Sequence, residues 1–243
     1  VKNAIGDWRR AGGKFSIITS KAFKGPVKES CNFLNLTDPI VVLGGEIIDP
    51  QTGKEIYSEA LFDKEASKII KDLSKTDFLY ELNDHKNLYS PFVELGKLFT
   101  HKKYKKLKNS NIHNVLKIRI ITTGRSQDEI NKIIKKFKDK FKDLNIIEAH
   151  TAYAKGIDIT SKGANKHLMI LRLCEIMEFS PDEVIGIGDG PNDYPLLMAS
   201  GYKVAMKNAP RELIEIADYV TADQIHDGVA VFINQLVTIS QKV

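Results

Sequence analysis

The sequence predicts an α/β fold, a doubly wound parallel sheet interrupted by an inserted α+β module. Three observations predict it. Strand-like apolar runs alternate with helical ones through residues 1–55, the same alternation resumes over residues 154–243, and residues 56–153 between them differ in pattern and charge. Regular strand–helix alternation is the signature of parallel βα units. A chain of 243 residues, 42% of them hydrophobic, can bury one large core or two modest ones.

In the first segment, Lys2 to Gly13 reads as a short helix closed by Gly12-Gly13. Phe15-Ser16-Ile17-Ile18-Thr19 is a compact β-rich run of the kind buried in a parallel sheet. Ser20-Lys21 opens a helix that runs to Leu34, and Pro39 to Leu43 forms a strand that stops at Gly44-Gly45.

The middle segment contains a helix from Lys64 to Leu73, an aromatic and polar stretch from Phe78 to Tyr89, and a lysine-rich loop from His101 to Asn109. A strand from Val115 to Ile121, a helix from Ser126 to Phe141 and a strand near Asn145 to Glu148 complete it. In that helix Lys132, Lys135, Lys136 and Lys140 share the outer face, while Ile133, Ile134, Phe137 and Phe141 face inward. Between Lys54 and Ala152, 21 Lys/Arg face 14 Asp/Glu, although the whole chain carries only +5. Such a module attracts anions, phosphorylated metabolites among them. Its lysines are not interleaved with aromatic residues in a nucleic-acid module, which argues against nucleic acid as a partner.

From Gly156 onward the doubly wound pattern returns. It runs through a helix from Lys166 to Phe179, a strand from Val184 to Ile187, a helix from Tyr194 and a strand from Tyr202 to Ala205. A helix from Pro210, a strand at Tyr219-Val220 and a helix from Gly228 follow. No stretch approaches the roughly 20 apolar residues of a membrane helix, and no signal-peptide pattern opens the chain. Cys31 and Cys174 lack metal-ligand spacing and read as buried apolar residues in a reducing compartment. A cytoplasmic protein without a membrane partner is the expectation; no pattern specifies an oligomeric state.

The strongest chemical signal is Gly186-Ile187-Gly188-Asp189-Gly190-Pro191-Asn192-Asp193. An apolar strand delivers two carboxylates into a glycine-rich turn, at the strand end where ligands of open α/β sheets bind. Hard oxygen ligands beside a phosphate suit Mg2+; the alternative is a solvated turn with no metal. Thr19 ends its strand with a hydroxyl that can donate to a phosphate, helped by amides at the next helix start, or merely caps that helix. Lys166 opens its helix, where an ammonium opposes the helix dipole unless an anion lies nearby. Otherwise it is a solvated surface lysine. Its removal is expected to cost little in folding.

Thr19, an inserted module, Lys166 and then the Asp189/Asp193 turn, in this order, resemble the haloacid dehalogenase superfamily, specifically its Cof-type phosphatases. Ala4-Ile5, Gly12-Gly13 and Ile18-Thr19 look like that family's first helix and second motif. Gly201 to Ala209, Ala217-Asp218-Tyr219-Val220-Thr221 and Asp227-Gly228-Val229 resemble its later strands and loops. The resemblance implies a Rossmann-like core with an α/β cap inserted in it, and a phosphatase of small phosphorylated metabolites that uses Mg2+. It implies that Thr19 and Lys166 bind the transferring phosphoryl group, that Asp189 ligates the metal and that Asp193 supports the metal or its waters. Ser20, Lys21, Gly45, Asn192 and Asn208 would contribute to substrate binding.

Three departures qualify the resemblance. The family's Asp-x-Asp-x-Thr nucleophile motif has no match, since the first Asp is Asp7, within the first helix. Its expected place is upstream of Val1, and residues 1–243 by themselves would have little hydrolase activity. Thr19-Ser20-Lys21 replaces the usual Thr-Gly-Arg, which is similar to mannosyl-phosphoglycerate phosphatases, and Lys21 either reaches a substrate anion or is solvated. Gly44-Gly45 replaces Asn-Gly. A non-catalytic phosphometabolite-binding protein is the competing reading. Tyr80, His85, Tyr89, Arg125 and Tyr153 are unranked candidates for substrate choice.

Overall fold

The computed structural model describes residues 1–94, 103–150 and 155–240. It divides into two compact units, Val1–Tyr57 with Asn165–Val243, and Ser58–Ala164. The first is the α/β core and the second the α+β layer.

Helix α1 (Lys2–Arg10) packs Ala4 and Ile5 against Ala230, Ile233 and Val237 near the C-terminus. The run Phe15–Thr19 is extended and parallel to β1 (Ile40–Val42), but it bridges that strand only at Ile18↔Val41. The amide of Val41 donates to Ile17 O (2.8 Å) and that of Thr19 to Val41 O (2.9 Å). Pro39 has no N–H to continue the ladder, so Phe15 N instead donates to the Asp38 carboxylate (2.9 Å) and Ser16 Oγ to Pro39 O (2.7 Å).

Helix α2 starts at Pro26, not at Ser20-Lys21, and ends at Leu34. The backbone of Lys21 is committed elsewhere, its N–H to Thr19 Oγ1 (3.2 Å) and its carbonyl to Leu43 N (3.0 Å). The helix begins where Gly25 (φ 46°) can turn the chain and Pro26 supplies a preset first turn. Strand β1 stops at Gly44-Gly45 as expected, then folds back. Leu43 (φ 53°) and Gly44 (φ 77°) carry the chain into antiparallel β2 (Glu46–Ile48), which borders β3 (Glu55–Ser58). A positive φ at leucine is uncommon, and β2 and β3 are absent from the sequence reading.

The second unit comprises α3 (Asp63–Leu73), β4 (Leu79–Asn83), β5 (Leu88–Ser90), β6 (Lys105–Lys106), β7 (Lys117–Ile121), α4 (Gln127–Lys140), β8 (Leu144–His150) and β9 (Lys155–Ser161). Its strands form one sheet in the order β6-β5-β4-β7-β9-β8. Tyr80, Leu82, Ile118, Ile120, Ile157 and Ile159 turn one face toward Ala66, Ile69 and Leu73 of α3 and Ile130, Ile133 and Phe137 of α4. Burial of that face holds the layer together. Helix α4 opens on a capping box between Ser126 and Glu129.

Strand β9 corrects the boundary read from sequence. Residues 155–161 pair antiparallel with β7 and β8 inside this sheet, and the unit extends to Ala164 rather than ending at 153. Ile157 and Ile159 alternate with Asp158 and Thr160, the pattern of a half-buried antiparallel strand rather than of a doubly wound core.

The chain then returns to the first unit through α5 (Lys166–Met177), β10 (Ile185–Gly188), α6 (Tyr194–Met198), β11 (Tyr202–Met206), α7 (Arg211–Glu215), β12 (Tyr219–Thr221) and α8 (Gly228–Ser240). Strands β10, β11 and β12 are parallel neighbours in that order. Helix α5 straddles two clusters. Met169 and Leu173 pack on Val41 and Ile47, whereas Ile170 and Cys174 pack with Leu197 and Ala205. Ile18 touches both. Among the described residues no helix is long and apolar enough to cross a membrane.

Candidate active site

The site is built from the end of β10. Two glycines there are fixed by crowding: a Cβ on Gly186 would sit 2.4 Å from Ser200 Oγ, and one on Gly188 would sit 2.5 Å from Asp193 Cβ. With no side chain at 188, the turn Pro191–Asp193 folds back on the strand and buries Asp193.

Asp193 is fully engaged. Its Oδ2 accepts from the amides of Asp189 (3.1 Å) and Gly190 (3.0 Å), and its Oδ1 is paired with Lys166 Nζ. The two side chains keep only 13% (Lys166) and 11% (Asp193) of their surface in water. A charge pair so far removed from solvent is held by mutual compensation, and breaking it leaves one charge stranded. This pairing runs against the reading of Lys166 as a solvated lysine and against the expectation that its removal costs little in folding. Its position is set by α5, which Asn165 caps by accepting from Leu168 N (3.0 Å). Asp193 supplies the anion that offsets the helix dipole at that end.

Asp189 is the opposite case. It is exposed, and among the described residues its carboxylate has no hydrogen-bond or ion-pair partner. The two aspartates that look equivalent in sequence thus differ. One pins the turn and Lys166; the other offers free oxygens.

Thr19 is half-buried at the end of its extended run. Its Oγ1 accepts from Lys21 N and its carbonyl from Gly44 N (3.1 Å), so Thr19, Ser20 and Lys21 fold around the β1 turn. The helix start expected to assist its hydroxyl lies further on, at Pro26. Ser20 and Lys21 are exposed, while Gly45 is buried and donates its N–H to Val42 O (3.2 Å) within the hairpin. Asn192 is exposed beside Gly190. Asn208 is exposed, and its Oδ1 accepts from Gln224 N (3.3 Å), anchoring the loop after β11. In that loop, hydrogen bonding from His226 and its positive charge hold the Asp223 carboxyl below its ordinary range, helped by Lys207.

Direct bonds therefore join Lys166, Asp193 and the Asp189-Gly190 backbone, and a second set gathers Thr19 with the β1 turn. Among the described residues no hydrogen bond or ion pair links Thr19 to Lys166, Asp189 or Asp193; Ile18, next to Thr19, packs against the two apolar clusters to which α5 contributes Met169, Ile170, Leu173 and Cys174. Sequence reasoning did not find the Asp193–Lys166 pair, although an ammonium at a helix start was itself a signal.

Of the substrate-choice candidates in the second unit, Tyr80 and Tyr89 are buried, and Tyr89 donates to Asp84 Oδ2 (3.0 Å). Arg125 lies over the Phe78 ring (4.6 Å) and pairs with Asp77 and Glu129. All three are engaged within the second unit. His85 is half-buried in the turn between β4 and β5, and Tyr153 lies outside the described residues. Sequence reasoning missed a charged set on the opposite sheet face, Glu81, Lys117, Arg119 and Asp158.

Residues 1–233 match the family model described as haloacid dehalogenase-like hydrolase. The chain is 27% identical over 232 residues to the 5-amino-6-(5-phospho-D-ribitylamino)uracil phosphatase YwtE of Bacillus subtilis, spanning 84% of this chain and 80% of that one. It is 38% identical over 93 residues, 38% of either chain, to the phosphoglycolate phosphatase of Methanopyrus kandleri. Among solved structures, a haloacid dehalogenase-like hydrolase from B. subtilis superposes with a TM-score of 0.77 at 20% identity, covering 97% of this chain and 92% of that one.

Proposed function

The chain belongs to the haloacid dehalogenase-like hydrolases, and on that premise we propose that it is a Mg2+-dependent phosphatase of a small phosphorylated metabolite, a sugar phosphate or a similar compound. The observation that carries this reading is the Lys166–Asp193 pair at the end of β10. It fixes an ammonium in the same turn network as a carboxylate that is exposed and, among the described residues, unpaired, the combination that binds a phosphoryl group and a divalent ion together. The name of the B. subtilis relative, a phosphatase of a phosphorylated ribityl compound, supports the substrate class.

In this reading Lys166 and Thr19 hold the phosphoryl oxygens, with Lys166 kept from swinging away by Asp193. Ser20, Lys21, Gly45, Asn192 and Asn208 complete the surround. The donor set fits a hard cation at one point: the Asp189 carboxylate is exposed and, among the described residues, unpartnered, whereas the oxygens of Asp193 are already taken. Asp189 would hold Mg2+, with Asp193 acting through the Asp189-Gly190 backbone. When bound, the ion would offset charge on the phosphoryl oxygens. The attacking carboxylate is that of an Asp outside residues 1–243, on a strand ahead of α1. It displaces the ester oxygen to form an aspartyl phosphate, which water then hydrolyses. The second unit acts as the inserted cap. Cys31 and Cys174, buried free thiols, suit a reducing, cytoplasmic setting.

The test is turnover by the full-length protein of a panel of phosphorylated metabolites, with Mg2+ and with chelator. Release of phosphate that requires Mg2+ supports the proposal. Phosphate binding without turnover would favour the non-catalytic binding protein instead.

A further inference from the structure

Lys166 is held at both ends, by different means. Its ammonium pairs with Asp193 on the turn after β10. Its backbone opens α5, and burial does little to hold it there. Lys166 and His167 are half-buried and Leu168 is 45% exposed; the side chains that α5 packs into the core begin at Met169 and Ile170. A first turn that buries so little apolar surface frays unless its free amides are served.

Asn165 serves them. Its backbone is extended (φ −137°, ψ 154°), its Oδ1 accepts from Leu168 N (3.0 Å) and its carbonyl accepts from Met169 N (3.0 Å). The side-chain bond closes the turn that contains Lys166 and His167. The place of this residue adds to its weight, because the chain crosses from the second unit to the first between Ala164 and Asn165. Residues before the crossing are tied within their own unit: Asn145 Nδ2 lies 3.0, 3.3 and 3.3 Å from the carbonyl oxygens of Ser161, Lys162 and Ala164. Asn165 is the first residue after it, and the turn it closes carries the ammonium.

With the cap in place, the backbone and the ammonium of Lys166 are both held, and the flexible stem between them has little freedom. Without the cap, the Asp193 pair alone must order the residue, and the ammonium loses part of its preorganisation toward an anion. We propose that Asn165 is a positioning residue of the phosphoryl site, which places Lys166 for the transferring group by closing the first turn of α5. The inference rests on the phosphatase reading, in which Lys166 binds the phosphoryl oxygens.

A cap that served the helix alone would change stability and leave the kinetics of the folded protein untouched. In the full-length protein with Mg2+, Asn165→Ala removes the acceptor and Asn165→Ser keeps one. The quantities to measure are kcat/KM on p-nitrophenyl phosphate, inhibition by inorganic phosphate and the urea midpoint. Alanine should lower kcat/KM and weaken phosphate inhibition, each by about fivefold, the worth of one cap bond, and serine should restore both. Asn165→Thr, a weaker cap, should fall between them, and it carries the test if the alanine variant does not fold. An alanine variant that unfolds more readily but keeps wild-type kinetics while folded overturns the inference. A loss that serine does not restore belongs to another contact of Asn165 and overturns it as well. A wild type that releases no phosphate overturns the phosphatase reading and the inference with it.

Discussion

The ammonium of Lys166 pairs with the carboxylate of Asp193, 27 residues further along the chain, and the other oxygen of that carboxylate holds the amides of Asp189 and Gly190. One buried aspartate thus sets both the cation and the turn that presents the exposed aspartate. The proposed catalytic geometry depends on a contact that also ties α5 to the turn after β10.

Removing Lys166 should therefore be felt in folding as well as in function. Lys166→Ala leaves Asp193 charged, buried and unpaired, a change expected to cost about 3 kcal/mol. The double variant Lys166→Met/Asp193→Asn should recover part of that loss, because neither partner is left charged. Urea unfolding of the wild type, Lys166→Met, Asp193→Asn and the double variant gives the coupling. A single-variant cost within about 0.5 kcal/mol, the range of ordinary surface substitutions, would mean that the pair is solvated.

Gly188 tests the same network from the backbone. Alanine there places its Cβ 2.5 Å from Asp193 Cβ and 3.1 Å from Leu197 Cδ1. The turn must shift, at a cost of about 1–3 kcal/mol, and Asp193 shifts with it. Phosphatase activity should fall under conditions where Gly188→Ala remains folded, although the added methyl is not itself a substrate contact. Wild-type activity in the folded variant would show that Asp193 need not be held in place.

The second unit supplies a pH prediction. Burial pushes the Asp84 carboxyl up, but hydrogen bonds from Asn87, from the Lys86 amide and from Tyr89 outweigh it and leave the group below its ordinary value. A carboxyl depressed in the folded state stabilises the fold above its unfolded pKa and loses that contribution as pH falls through its folded one. Asp84→Asn should cost about 2 kcal/mol at neutral pH, the scale of hydrogen bonds to a charged group. The gap from wild type should close as pH falls below the usual carboxylate range. Unfolding midpoints measured from neutral pH downward check this; a gap that stays constant with pH would contradict it.

Much of this architecture was legible because its signals are local. Ile185 to Gly188 followed by Asp189, and the lysine-studded α4 with its Ser126 cap, carry their periods within a few residues. The misses have non-local causes. Helix α2 begins at Pro26 because Lys21 is tied to Leu43, a bond between distant residues. A boundary at 153 places residues 155–161 in the core, although Asp158 and Thr160 alternate with Ile157 and Ile159 in the pattern of a half-buried antiparallel strand. The different fates of Asp189 and Asp193 follow from a lysine on another helix, which spacing within the motif cannot reveal.

The most direct test of the central claim is the Mg2+-dependent phosphatase activity of Asp189→Asn in the full-length protein. Its side chain is exposed and unpartnered among the described residues, so the unfolding midpoint should not move. Activity on p-nitrophenyl phosphate should fall on the order of a hundredfold or more, as when one electrostatic contact to the transition state is lost. Undiminished, Mg2+-dependent turnover by that variant would contradict the account.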